Sequence, residues 1–371
     1  MTEFIQYLNG EEQMRKLLFR LNARTQFCLS MGSTQTSDVA GISAAGATPE
    51  FRRLTPAADA EALVFGHTLS VDKLPVSPLG VVSPVVITRA CLNLAGLIPH
   101  IVNCGAFVVP RVPFLGVGTA PAAAISTGRA MPPDLVCALF SRGYEFGLQR
   151  SRETDSIVMA ECVPGGTTTA LGVLIALGYD ARRALSGSIP NCNHDMRLEL
   201  VEEGLRNASL QPGEGDPIAI LAALGDPMQP FVAGMALSAS KHIAVILAGG
   251  SQMLAVYALC KAFAPMYDIQ IKDSAIGIVT TKWVAFDEHA RVPHLCEEID
   301  APMAAACPDF NLSRHPGLQL YERGNVKEGV GAGAAMVLAY NALQGDTAAM
   351  MNAIDQSYDE MVRYPCSEAI S

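Results

Sequence analysis

From residue 84 onward, apolar and polar positions fall into a regular alternation of long and short apolar stretches. PVVITRACLNLAGL (84–97) has helical spacing, and PHIVNCGAFVV (99–109) reads as a strand with its exit. PPDLVCALFSRGYEFGLQR (132–150) is a helix opened by proline, with Asp134 in its first turn. The run 155–162 is a short strand, followed at once by a helix over 165–179. A small-residue helix over 230–240, a buried strand at 242–250 and a helix at 251–264 repeat the pattern. A strand is expected at 275–284, a last short one at 318–323, and a final large helix from 327 to 344. The strands are continuous Val/Ile runs, the mark of a parallel sheet buried on both faces. The expected fold is therefore α/β: a doubly wound, mainly parallel sheet with helices on both faces.

The ends of the chain read differently. Residues 3–24 carry Phe4, Ile5, Leu8, Leu17, Leu18 and Leu21 between charges, which predicts one or two amphipathic helices, and 350–363 also has helical character. This gives a catalytic domain over 25–345 and a small helical subdomain from the terminal segments 1–24 and 346–371. The stretch 33–59 is a long loop rich in Ser, Thr, Gly, Ala and Pro, and such loops inside compact domains are often functional. Residues 180–229 are polar and irregular, as in a peripheral insertion.

Composition narrows the function. Half of the 371 residues are apolar, so a large core can be buried. Net charge is −10 and no Lys/Arg cluster exceeds pairs such as Arg52-Arg53, which argues against nucleic acid as a partner. No clean apolar stretch of about twenty residues predicts a membrane span. The ten cysteines are scattered without a C-x-x-C, and the start is polar and acidic; both fit a reducing cytoplasm. Cys192-Asn193-His194-Asp195 and the pair His289/His294 lack zinc spacing, so no metal site is expected.

Chemistry concentrates at strand-to-helix junctions, where ligands bind in open parallel sheets. Four are rich in Gly, Ser and Thr: Gly32-Ser33-Thr34; Glu161 with Gly165-Gly166-Thr167-Thr168; Gly249-Gly250-Ser251; and Glu328-Gly329-x-Gly331. Glycines let the backbone approach a ligand, and hydroxyls at a helix start cap it or bind phosphate oxygens. Each junction alone could be a capped packing turn; their coincidence favours a phosphate or ribose site. KEGVGAGA (327–334) matches a dinucleotide fingerprint on paper, but no crossover to a further strand follows it. What remains is Glu328 ahead of a helix start, either a cap or a catalytic base. Lys282 could neutralise a phosphate or be a solvated edge residue.

AECVPGGTTTA (160–170), GNVKEGVGAGAAM (324–336) and the stretch 32–63 together resemble the nicotinate-nucleotide–dimethylbenzimidazole phosphoribosyltransferase family, in its divergent archaeal and cyanobacterial branch. The resemblance covers about residues 25–345. It implies transfer of the 5-phosphoribosyl group of nicotinate mononucleotide to a benzimidazole-like base, as in assembly of the cobalamin nucleotide loop. It further implies Glu328 as general base and Glu161 at the ribose or supporting the loop. Gly165, Gly166, Thr167 and Thr168 would hold the phosphate with Gly249, Gly250 and Ser251, and Gly329 and Gly331 would admit the nucleotide. No cofactor and a homodimer are implied. The chain departs from the family at Ser30-Met31-Gly32 and at Thr280–Val284, which leaves the acceptor base open. A non-catalytic nucleotide binder of the same fold and a nucleotide-dependent oxidoreductase are the alternatives.

Overall fold

The computed structural model describes residues 3–74, 76–77, 79–189, 193–272 and 275–363. Its centre is one eight-stranded sheet: β1 (Ile5–Asn9), β2 (Gln26–Met31), β3 (Pro99–Asn103), β4 (Leu115–Gly116), β5 (Ser156–Cys162), β6 (Ala244–Ala248), β7 (Ile276–Thr281) and β8 (Met303–Ala306). The spatial order is β1-β8-β7-β6-β5-β2-β3-β4. All neighbours are parallel except β1, which pairs antiparallel with β8 at the edge. The chain winds outward from β2 through β3 to β4, then returns to the other side of β2 and winds through β5, β6, β7 and β8. The reversal lies between β2 and β5, where an open sheet of this order forms a crevice at its carboxyl edge.

Successive side chains of each strand enter opposite layers, as pleating requires. Ile157, Met159, Val245 and Leu247 face the helices Pro133–Arg150, Gly166–Ala176, Met228–Ser240 and Ser251–Phe263. Val158, Ala160, Ile246 and Ala248 face the helices Glu11–Phe19, Pro49–Phe65, Val85–Ala95, Ala332–Ala342 and Thr347–Tyr358. Both faces being covered explains why these strands read as unbroken apolar runs.

Several sequence expectations are corrected. The start of the chain is a strand, β1, before its helix: Phe4, Ile5 and Leu8 mimic helical spacing, but the backbone of 5–9 completes the open edge of β8. The segment 318–323 forms helical turns, Pro316–Gln319 and Leu320–Arg323, not a strand. The strand after 275 ends at Thr281 and gives way to a helical turn at Lys282–Ala285. The region 180–229 is no appendage: its helices His194–Ala208 and Pro217–Leu224 bury Val201, Ile220, Leu221 and Leu224 in the main core. The final helix begins only at Ala332, leaving 324–331 as a loop. The stretch 33–59 is a loop only to Thr48; from Pro49 it is helix. Among the described residues no helix is long and apolar enough to cross a membrane.

Candidate active site

Three helices begin at one cleft on the carboxyl edge of the sheet. Gly166–Ala176 follows β5, Ser251–Phe263 follows β6, and Ala332–Ala342 follows the loop 324–331. Helix starts present unpaired N–H groups and a partial positive charge, which suit an anion. The cleft has two connected lobes. The first encloses about 720 Å³ of non-protein space, part of it open to solvent, and is walled by residues 42–46, Asp59, Ser83, Cys162, Gly165 and Gly329. The second is lined by Ser186, Gly187, Gly250, Ser251 and Lys327. Glu161, Thr167, Ser188, Gln252, Val326 and Glu328 line both lobes and so stand where they meet.

The loops around the cleft are held by backbone hydrogen bonds. The buried Arg52 guanidinium donates to three carbonyls of one loop: Ser37 at 2.5 Å, Val39 at 3.3 Å and Gly46 at 3.4 Å. Ser188 joins two walls, its hydroxyl accepting from Ala44 N–H at 3.0 Å and its carbonyl from Val326 N–H at 2.9 Å. Gly165 is left-handed (φ 81°), and a Cβ there would press on the Ser37 backbone at 3.1 Å. The loop before the last helix is strained. Val326 (φ 65°), Lys327 (φ 67°) and Val330 (φ 53°) are left-handed, a region β-branched residues rarely occupy. Such strain persists only where the surroundings enforce it, and it clusters at functional sites.

Glu328 is half-buried at the floor of the cleft. Its carboxylate accepts from Gly329 N–H at 3.0 Å and from Gly333 N–H at 3.3 and 3.4 Å. Burial pushes its pKa up to about 7, although these amide donors pull it down. Glu161 is the last residue but one of β5, and its Oε2 accepts from Gln252 Nε2 at 2.7 Å and Val163 N–H at 3.2 Å. Burial and the charge of Glu328 push Glu161 up to about 8. A carboxyl whose pKa lies near the working pH can take or return a proton at little cost.

The second lobe contains the cleft's cation. Among the described residues lining the two lobes, Lys327 alone carries a basic side chain. Its Nζ lies 2.5 Å from Asp287 Oδ2, with the two side chains 3% and 6% exposed. Asp287 also accepts from the Ser186 hydroxyl at 2.6 Å. Burial alone would raise Asp287, but Lys327 and Ser186 outweigh it and hold its pKa below the usual value.

The structure separates the residues expected from sequence into three groups. Glu161, Gly165, Thr167, Gly250, Ser251, Glu328 and Gly329 line the cleft. Gly166, Thr168, Gly249 and Gly331 lie behind its lining: Gly166 against the Gln252 amide, Thr168 fully buried, Gly249 beside Glu161, and Gly331 against Ala160 and Ala248. Lys282 stands outside both lobes and pairs with Glu322 at 2.9 Å, because β7 ends one residue earlier and the following turn carries it away. Gln252, Lys327, Asp287 and Asp59 were not anticipated. Gln252 directly follows Gly-Gly-Ser, and Lys327 directly precedes Glu328, so adjacency to the motifs was the available signal. Among the described residues no group of three or more His, Cys, Asp or Glu could hold a metal ion; Cys192 lies outside them.

Comparison with known proteins bears on the family and the fold. Residues 95–270 match a family model described as phosphoribosyltransferase. A UPF0284 protein of Gloeobacter violaceus is 44% identical over 358 residues, 95% of this chain and 93% of its own length. Another, from Synechocystis, is 43% identical over 319 residues, 85% of each chain. Among solved structures, the nicotinate-nucleotide–dimethylbenzimidazole phosphoribosyltransferase of Thermus thermophilus superposes with a TM-score of 0.58. It is 17% identical, with 91% of this chain and 88% of that chain covered, a likeness of fold. The chain belongs to the UPF0284 family, and its middle part, which carries the phosphoribosyltransferase match, marks it as a pentosyl-transferring enzyme.

Proposed function

We propose that this enzyme moves the 5-phosphoribosyl group of nicotinate mononucleotide onto a ring nitrogen of a flat aromatic base, with Glu328 as general base. The observation that carries the reading is the position of Glu328, at the meeting of a roomy lobe and a glycine-rich one that contains the Lys327 ammonium. The donor's pyridinium nitrogen already bears positive charge. When the acceptor nitrogen attacks C1′, the C1′–N bond breaks and its electron pair neutralises that charge, so nicotinate leaves without an acid. The acceptor's N–H proton passes to the Glu328 carboxylate. In-line attack inverts C1′ and gives an α-ribosyl product.

The second lobe suits the 5′-phosphate: Lys327 offers charge, and the Ser251 helix start offers N–H groups. Lys327 takes the role the sequence suggested for Lys282. Glu161, whose pKa burial and the Glu328 charge raise to about 8, can donate a hydrogen bond to a ribose hydroxyl from its protonated form. The first lobe, walled by residues 42–46, holds the acceptor. Positioning the two substrates together supplies most of the remaining acceleration. Incubating the protein with nicotinate mononucleotide and a panel of aromatic bases, with products read by mass, tests the reading: a ribosylated base phosphate and free nicotinate in equal amounts are expected. Nucleotide binding with no product from any base would leave a non-catalytic binder instead.

A further inference from the structure

The acceptor lobe contains a carboxyl that proton transfer does not use. Asp59 projects from the helix Pro49–Phe65, is 3% exposed and lines this lobe with Thr55, Ser83 and Cys162. Its Oδ2 accepts a long hydrogen bond from the Cys162 thiol at 3.5 Å. Its Oδ1 is buried and receives no hydrogen bond of normal geometry, the Ser83 hydroxyl lying near the carboxyl. Two positions along the same helix, Glu61 shows the opposite state. Its oxygens accept from Leu69 N–H, Ser70 N–H, the Ser70 hydroxyl and Arg111 N–H, at 2.5–2.9 Å. Glu61 is therefore a saturated loop clasp, whereas Asp59 keeps one acceptor in reserve beside the cleft.

A buried acceptor without a partner is unfavourable, and protein interiors rarely tolerate one without a reason. The position relative to Glu328 suggests the reason. Glu328 lines both lobes, where the reacting nitrogen must meet C1′; Asp59 lines only the first. A flat base seated there has its reacting edge toward Glu328 and another edge toward the helix wall. Burial also pushes Asp59 up to about 7, with Ser83 and Cys162 offsetting part of the rise, so that near neutrality both a carboxylate and a carboxylic acid are available.

We infer that Asp59 sets acceptor specificity by hydrogen bonding to an N–H or O–H on the ring edge remote from the reacting nitrogen. The acceptor is then a heteroaromatic base with a polar edge, amino- or hydroxyl-bearing, rather than an alkyl-substituted benzimidazole. This rests on the phosphoribosyl-transfer reading of the cleft. A methyl group at that edge would leave Oδ1 unpaired, and sites built to hydrogen-bond a substrate group reject analogues lacking it far more strongly than apolar pockets reject a misfit.

The test is binding of adenine, 5-hydroxybenzimidazole and 5,6-dimethylbenzimidazole by calorimetry, with nicotinate mononucleotide present, to the full-length protein and to Asp59→Leu and Asp59→Asn. The parent is expected to bind at least one of the donor-bearing bases about 100-fold or more tighter than the dimethyl compound; which one identifies the amino or hydroxyl class. Asp59→Leu should bring that ratio to within a few-fold while nucleotide affinity stays unchanged. Asp59→Asn keeps the side chain's shape if the Leu variant fails to fold, and should lower the ratio about tenfold, because a neutral amide oxygen is the weaker acceptor. A parent that binds nucleotide yet does not favour a donor-bearing base overturns the assignment alone, as does a ratio unchanged in both variants. Failure to bind nucleotide and every base, with no turnover, overturns the phosphoribosyl reading and this assignment together.

Discussion

The Glu328 carboxylate reaches forward to the Gly333 N–H, at 3.3 Å from one oxygen and 3.4 Å from the other, and so caps the helix that follows it. The two roles open to this residue in the sequence, cap and base, are thus compatible in one geometry. The cap fixes the carboxylate at the cleft floor, and burial keeps its pKa close to neutrality. Gly333 has to be glycine for this arrangement, since a Cβ would lie 2.3 Å from the Thr280 backbone.

Four acids with raised pKa values, Glu161, Glu328, Asp59 and the fully buried Asp226, which accepts from the Thr169 hydroxyl, give the free protein a pH dependence of definite sign. Glu161 is raised to about 8, Glu328 and Asp59 to about 7, and Asp226 to about 6. Each binds its proton more tightly folded than unfolded. Their stabilising contribution is complete below the unfolded pKa, near 4, and is lost as pH rises through the folded values. Urea melts at pH 5 and pH 8.5 should show lower stability at the higher pH. Glu161→Gln should reduce that difference; an equal difference in the variant would contradict the raised Glu161 value.

Lys327 and Asp287 form a buried pair, so removing one partner strands the other. Lys327→Met should cost about 3–5 kcal/mol of stability, and adding Asp287→Leu should recover most of it. The stable double variant then isolates the phosphate role. Loss of one charge-assisted hydrogen bond should weaken nicotinate mononucleotide binding about 10–100-fold. Parent-like affinity in the double variant would confine Lys327 to a structural role.

A Cβ at Gly166 would lie 2.0 Å from Gln252 Oε1, and Gln252 holds Glu161. Gly166→Ala should therefore cost about 1–3 kcal/mol through overpacking. In a Gln252→Ala background the same substitution should cost much less, a coupling that a double-mutant cycle reads directly. Additive losses would mean that the crowding lies elsewhere.

The sequence made the central strands legible because β5, β6 and β7 are buried on both faces and consist largely of Val, Ile and other apolar residues. It hid β8, whose MAAA has low strand propensity and is held by its neighbours on both sides. It hid β1 because Phe4, Ile5 and Leu8 also fit a helix. Glu161 and Glu328 were visible through the glycine-rich junctions beside them. Asp59 was not: it was read as the last residue of a polar loop, and only the helix Pro49–Phe65 places it against the cleft. The left-handed Val326 and Val330 leave no trace in local sequence, since only tertiary packing imposes them.

The Glu328→Gln variant tests the central claim most directly. Gln keeps the shape of the side chain and an acceptor for the Gly333 amide, but it cannot take the acceptor's proton. With nicotinate mononucleotide and the best base of the panel, kcat should fall by a factor on the order of 10²–10⁴, with nucleotide affinity little altered. The melting temperature should stay close to the parent's or rise, since burial penalises the charge that Gln lacks. In the parent, kcat/KM should rise with pH through about 7 as Glu328 loses its proton. A Gln variant that turns over within a few-fold of the parent, with the same pH profile, would reduce Glu328 to a helix cap and contradict the proposed mechanism.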